Sequence, residues 1–177
     1  RPYDDSPLDR ESVGETVYLD LINRASKYLY IFTPYLILDD FMRTALCNAA
    51  KRGVDVRIVT PGIPDKKMVF RLTRSNYAPL MKSGVKIYEY TPGFIHAKSM
   101  VCDDEAAVVG TINLDYRSLY LHFENAVYFS HCDAVAAVKQ DGEDVFAVSK
   151  RMTIEDTRQT FIGKLVDSVL RVFETLL

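Results

Sequence analysis

Cysteine, histidine and long apolar runs are all scarce in this sequence. There are three cysteines, Cys47, Cys102 and Cys132. Their number is odd, they lie far apart and no C-x-x-C occurs. That argues against a disulfide framework or a zinc ribbon and for buried, reduced thiols in a cytoplasm. No apolar run approaches the ~18–20 residues needed to cross a bilayer. The first residues, RPYDDSPLDRE, are polar and unlike a signal peptide. They also lack Met, so the chain is expected to be a piece of a longer polypeptide whose upstream part, with any membrane anchor, is not seen. A charge imbalance is missing too. Lys and Arg number 22 and Asp and Glu 24, a net charge of −2, which counts against a generic nucleic-acid binder.

The 177 residues are one domain's worth of chain, since domains run to about 100–200 residues. Apolar residues make up 48% and charged residues 26%, which excludes wholesale disorder. A chain of this size buries roughly 70% of its unfolded surface, enough for a core without staples. No internal repeat or mid-chain linker is apparent.

The order of elements follows from periodicity. Val13, Val17, Leu21, Ile22 and Ala25 recur at helical spacing. Tyr28 to Phe32 is a strand-like run stopped at Thr33-Pro34. Asp39 and Asp40 stand where they can cap a helix that Gly53 closes. Residues 54–60 read as a strand, 65–83 as one helix ended by Gly84, and 85–90 as a third strand. Strands are expected again at 97–102, 106–109 and 125–130, with some antiparallel pairing, and a surface helix at 132–150. The prediction is an α/β fold, a mixed, largely parallel β-sheet flanked by helices on both faces. One domain is expected over 1–177. An amphipathic C-terminal helix over 153–177 should pack on or beside it, from Phe161, Leu165, Val169 and Phe173.

Candidate chemistry is concentrated around one histidine. His96 and Lys98 are two apart in a segment of strand character, so alternation puts them on one face. Two such groups repel unless a polyanion shares them. Asp103 follows, then Gly110-Thr111-x-Asn113, and Glu124 lies ahead of the next strand. The pattern is H-x-K-x4-D-x6-G-T-x-N followed by a carboxylate.

This segment resembles the HKD signature of the phospholipase D superfamily. Gly93-Phe94-Ile95-His96-Ala97-Lys98 and Asn113-Leu114-Asp115-Tyr116-Arg117-Ser118-Leu119 look like the second HKD half of bacterial cardiolipin synthases, as do Thr33-Pro34-Tyr35, Arg74-Ser75-Asn76-Tyr77 and residues 84–90. The family carries two HKD motifs per polypeptide and this chain has one. The resemblance implies a phospholipase D-like α-β-α sandwich and phosphatidyl transfer between two phosphatidylglycerols through a phosphohistidine. His96 would be one of two facing histidines, one the nucleophile and the other the general acid. Lys98 and Asn113 would hold phosphate oxygens. Glu124 would accept the far ring N–H of His96 and set its tautomer. Asp103 completes the motif and is expected to brace the strand end. Gly110, Thr111 and Arg117 would line the substrate site, Thr111 standing where the family more often has Ser. No metal or other cofactor is implied. The partners would be phosphatidylglycerol and other anionic phospholipid, with the missing N-terminal half or a second copy of the chain, on a bacterial membrane.

Blander readings stand beside these. Glu124 is a surface carboxylate in one of them, and His122 and His131 read as solvent-facing. Cys102 reads as packing. Lys66, Lys67, Arg71, Arg74, Lys82 and Lys86 face only Asp65 within residues 65–86. They form either a solvated helix face or an attraction for anionic head groups. Two further functions are open, a single-motif nuclease active as a homodimer and a non-catalytic module that binds anionic lipid.

Overall fold

The computed structural model describes residues 1–9 and 11–158. The terminal helix expected from Phe161 lies outside the described residues. Of the 153–177 segment, residues 153–158 fall within them and hold a short 3-10 turn, Glu155–Thr157.

Strand β1 (Pro2–Asp5) opens the chain. It went unanticipated because a polar edge strand lacks the apolar alternation that marks a half-buried one. Helix α1 (Val13–Arg24) follows. Ser12 makes no side-chain capping bond. Instead the buried Asp5 carboxylate accepts from the backbone N–H of Val13 (3.2 Å) and Gly14 (2.7 Å), so β1 supplies the cap. Strand β2 (Tyr28–Phe32) is buried at every position, as a central strand covered on both faces must be. Helix α2 (Asp40–Lys51) is capped by Asp39, whose carboxylate accepts from the Met42 N–H at 2.7 Å. Gly53, at φ +97°, ends it, and strand β3 (Asp55–Pro61) begins.

The single helix expected over 65–83 is two, α3 (Lys67–Ser75) and α4 (Tyr77–Lys82). Pro79 explains the break. It has no N–H to give to the carbonyl of Ser75 and its ring would crowd that carbonyl, so it sits in the first turn of a new helix. The buried Asn76 fills the junction, its amide donating to Leu36 O and Leu72 O, both at 3.1 Å. Strand β4 (Lys86–Tyr90) follows. The rest are β5 (Ser99–Cys102), β6 (Ala106–Gly110), α5 (Tyr116–Tyr120), β7 (Glu124–Ser130), α6 (Asp133–Ala147) and β8 (Ser149–Arg151). Helix α5 and strand β8 had no periodic signal, being five and three residues long.

Among the described residues the strands form one eight-stranded sheet, ordered β1-β7-β6-β5-β2-β3-β4-β8. The mixed α/β class with helices on both faces is as expected. The parallel share is smaller than expected, since only β2–β3 and β3–β4 run parallel. The other neighbours are antiparallel; the turn between β5 and β6 is too short for a parallel crossover, while the segment between β6 and β7 carries α5. One face carries the larger core, with Tyr18 and Leu21 of α1 and Leu46 of α2 packed on Ile31, Ile58 and Met100. The other is covered by α6, whose Phe146 packs on Tyr30, Phe32 and Tyr88.

The turn after β5 is held by Asp103. Its buried carboxylate accepts from the N–H of Ser26 (2.6 Å), Lys27 (2.9 Å) and Tyr28 (2.8 Å) and from the Ser26 hydroxyl (2.8 Å). Burial pushes the carboxyl up, but these bonds outweigh it and hold it below its ordinary value. Asp103→Ala in the full-length protein should cost about 3 kcal/mol, measured by urea unfolding. The contribution is full above the unfolded pKa, about 4, and is lost as pH falls through the lower folded value. Wild type should therefore lose more stability on acidification than the variant. Parallel acid profiles would contradict this role.

Candidate active site

The sheet register brings the motif to one edge. Because β5 is antiparallel to β2, with Phe32 opposite Ser99, the start of β5 lies beside the end of β2. The loop after β2 is laced to the segment after β6. The Thr33 hydroxyl accepts from Leu114 N–H at 3.1 Å, and Leu114 O accepts from Ile37 N–H at 2.9 Å. His96, Lys98, Thr111, Asn113 and Glu124 thereby collect at the ends of β2, β3 and β4, at the same edge.

His96 and Lys98 do meet, but not by strand alternation. Both precede β5 in irregular backbone. Lys98 is buried, while His96 is exposed. The Lys98 ammonium lies 2.9 Å from His96 Nδ1 and 3.2 Å from Nε2, and it donates to the His96 carbonyl at 2.8 Å. Burial, then the charge of Lys98, holds the His96 imidazole below its ordinary pKa, with Asp65 opposing. Burial also lowers Lys98, against the pull of Glu124 and Asp115. The consequence is an unprotonated imidazole near neutral pH, which is the form a nucleophile needs. Phe94 stacks on the ring, centroids 5.7 Å apart, and Tyr35 meets it edge-on at 6.4 Å. Neither residue had been given a role from sequence, although both stand in the motif segments.

Glu124 corrects an expectation. It accepts from the hydroxyls of Thr111 and Ser118, and His122 Nδ1 lies 3.6 Å away. No hydrogen bond joins it to His96 among the described residues. The reason is spacing. Glu124 opens β7, two ladders from β5, or about 10 Å, and Lys98 stands between. Within this chain the carboxylate acts on Lys98 and not on the imidazole. Thr111 is likewise committed. Its hydroxyl gives its proton to Glu124 and accepts from Asn125 N–H at 3.0 Å. Asp103 lies past the far end of β5 from Lys98, where its carboxylate braces the turn and takes no part in the chemistry.

Gly110 is required by packing. A Cβ there would come within 2.4 Å of both Ala126 Cβ and the Asn125 carbonyl, so any side chain would push β7 away and carry Glu124 with it. Asp115 accepts from Ser118 N–H at 2.8 Å and starts α5. This Asp-x-x-Ser spacing was the sequence signal for Ser118, which was not assigned a role. Ser118 then accepts from Asn113 N–H at 3.0 Å. The Asn113 side-chain oxygen is buried without a partner. Arg117 is exposed. The basic stretch is not a uniform face, because Arg74 pairs with Glu89 at 3.0 Å and Lys86 with Asp55 at 2.7 Å.

Among the described residues, two cavities flank this edge. One of about 700 Å³ lies between it and α6, lined by His96, Lys98, Thr111, Val109, Ala137 and Val138. A smaller one, about 150 Å³, lies between α3 and α5. No cluster of three or more His, Cys, Asp or Glu suited to a metal occurs among the described residues, nor a helix long and apolar enough to cross a membrane.

Residues 18–145 match the family model described as cardiolipin synthase, PLD-like domain. A cardiolipin synthase of a Geobacillus species is 37% identical over 97% of this chain and 34% of its own length. The chain thus spans about a third of such relatives. Among solved structures, Nuc, a phospholipase D family member from Salmonella typhimurium, superposes with a TM-score of 0.71 at 19% identity. It covers 86% of this chain and 99% of that one. Phosphatidylserine synthase of Haemophilus influenzae gives 0.76 at 16% identity, over 99% of this chain and 47% of that one.

Proposed function

Since the chain belongs to the cardiolipin synthase family of phospholipase D-like domains, we propose that it is the second catalytic half of a longer phosphatidyltransferase. The substrate is phosphatidylglycerol at a bacterial membrane. A second histidine and lysine come from the other half of the polypeptide. The pairing of an unprotonated His96 with the buried Lys98 at the mouth of the larger cavity carries this reading.

The reaction follows from these groups. An imidazole nitrogen attacks phosphorus, the bond from phosphorus to the glycerol oxygen breaks, and glycerol leaves with a proton from the second histidine. The hydroxyl of a second phosphatidylglycerol then attacks the phosphohistidine. The phosphorus–nitrogen bond breaks and the hydroxyl proton passes to the second histidine. Either histidine fits either role. Lys98 and the Asn113 amide hold the phosphate oxygens as charge builds on them. Glu124 sets the field at Lys98 and fixes Thr111. The alanine and valine walls of the larger cavity suit the apolar part of the donor lipid.

The full-length protein with labelled phosphatidylglycerol in mixed micelles should yield cardiolipin and glycerol in equal amounts. A second reading, a single-motif phosphodiesterase working as a homodimer, draws on Nuc, since this chain covers nearly all of that protein. Cleavage of a nucleic-acid diester reporter with no cardiolipin formed would favour it and overturn the first.

A further inference from the structure

The smaller cavity lies beside His96 but does not include it or Lys98. Tyr35 is the shared wall, with its ring against the imidazole on one side and lining the cavity on the other. The remaining polar lining is Asn113, Asp115, His122, Lys66 and Arg117. The space of about 150 Å³ equals roughly five waters' share of the liquid. That suits a three-carbon triol and is far too small for a diacylglycerol.

The lining is sorted by charge. Asp115 is buried, and the buried oxygen of Asn113 has no donor. A carboxylate and an orphan carbonyl oxygen are acceptors. They repel a phosphate and suit hydroxyl donors, which would also relieve the cost of leaving the Asn113 oxygen unpaired. Lys66 and Arg117 are exposed, so they form a cationic rim. Lys66 lies 5.7 Å over the Tyr35 ring, which places its charge at the mouth. Hydroxyls therefore belong inside and an anion outside.

The geometry points to this cavity as the acceptor site. It takes the glycerol end of an incoming phospholipid head group, and Lys66 and Arg117 hold that lipid's own phosphodiester at the rim. This rests on the transferase reading above. It adds that the acceptor is recognised as a polyol joined to an anion, in a cavity that meets the donor's phosphate site at Asn113.

The test uses the full-length protein in mixed micelles with donor phosphatidylglycerol saturating and two labelled soluble acceptors. Glycerophosphoglycerol has both the triol end and the diester; glycerol has only the triol. Arg117→Met and Lys66→Met, both at exposed positions, should each raise the half-saturating concentration of glycerophosphoglycerol about tenfold. Glycerol's should change less than about twofold, since it makes no contact with the rim. Unchanged half-saturation for glycerophosphoglycerol, an equal rise for glycerol, or a fall in maximal rate alone would overturn the acceptor site. Wild type that forms cardiolipin but transfers to neither soluble acceptor would overturn the acceptor site alone; wild type that forms no cardiolipin either would overturn the transferase reading, and the acceptor site with it.

Discussion

His96→Ala in the full-length protein is expected to reduce cardiolipin formation by at least ~10⁴-fold while leaving the fold intact. The two halves of that expectation have separate grounds. His96 is exposed, in irregular backbone, and makes no core contact, so the stability change should stay within about 0.5 kcal/mol. The chemistry has no substitute, because without one imidazole either the covalent intermediate or the proton for the leaving glycerol is lost. Wild type quenched in base should retain a phosphatidyl–enzyme adduct whichever histidine is the nucleophile, and the variant should retain none if His96 is that nucleophile. If it is the acid instead, the variant should form the adduct slowly and release little glycerol. A folded variant within tenfold of wild type would remove His96 from the mechanism.

How far the sequence reached differs from residue to residue. Strand β2 was legible to the residue because a buried central strand reads as an unbroken apolar run. Helix α2 was legible from Asp39 and Gly53, which do at its ends what their chemistry allows. The meeting of His96 and Lys98 was anticipated, yet for a reason the structure replaces, since an irregular loop and not a pleat brings them together. The brace at Asp103 was foreseen, but its donors, Ser26, Lys27 and Tyr28, are 75–77 residues away and no local pattern points to them. Glu124 was misassigned for a related reason. Its partners depend on the register of β6 on β7, where Gly110 pairs with Ala126. A one-residue slip would turn Glu124 to the other face. Thr111 and Ser118 therefore became its neighbours through tertiary pairing that single-chain spacing does not encode.

The second large effect belongs to Lys98. Lys98→Met keeps the stem and deletes the charge, and should slow transfer by about 10³-fold, the upper end of what one donor to a developing oxyanion contributes. A second signature separates this from simple misfolding. His96 sits below its ordinary pKa first through burial and then through the Lys98 ammonium. With that ammonium gone, burial alone still lowers the imidazole, while Asp65 raises it. The His96 pKa should therefore rise in the variant, read by the pH dependence of its ring proton resonances. At a pH between the old and new values, more of the imidazole is protonated, so the acid limb of the rate profile should move to higher pH with His96 as nucleophile, and the alkaline limb should do so with His96 as acid. Lys98→Arg tests geometry against charge. A planar guanidinium keeps the charge but cannot reproduce an ammonium lying against both the imidazole and the carbonyl of His96. It should leave the imidazole depressed while the rate still falls. A Lys98→Met variant whose imidazole does not move would show that the close approach of the two side chains carries no electrostatic coupling, and the paired site would have to be rebuilt without it.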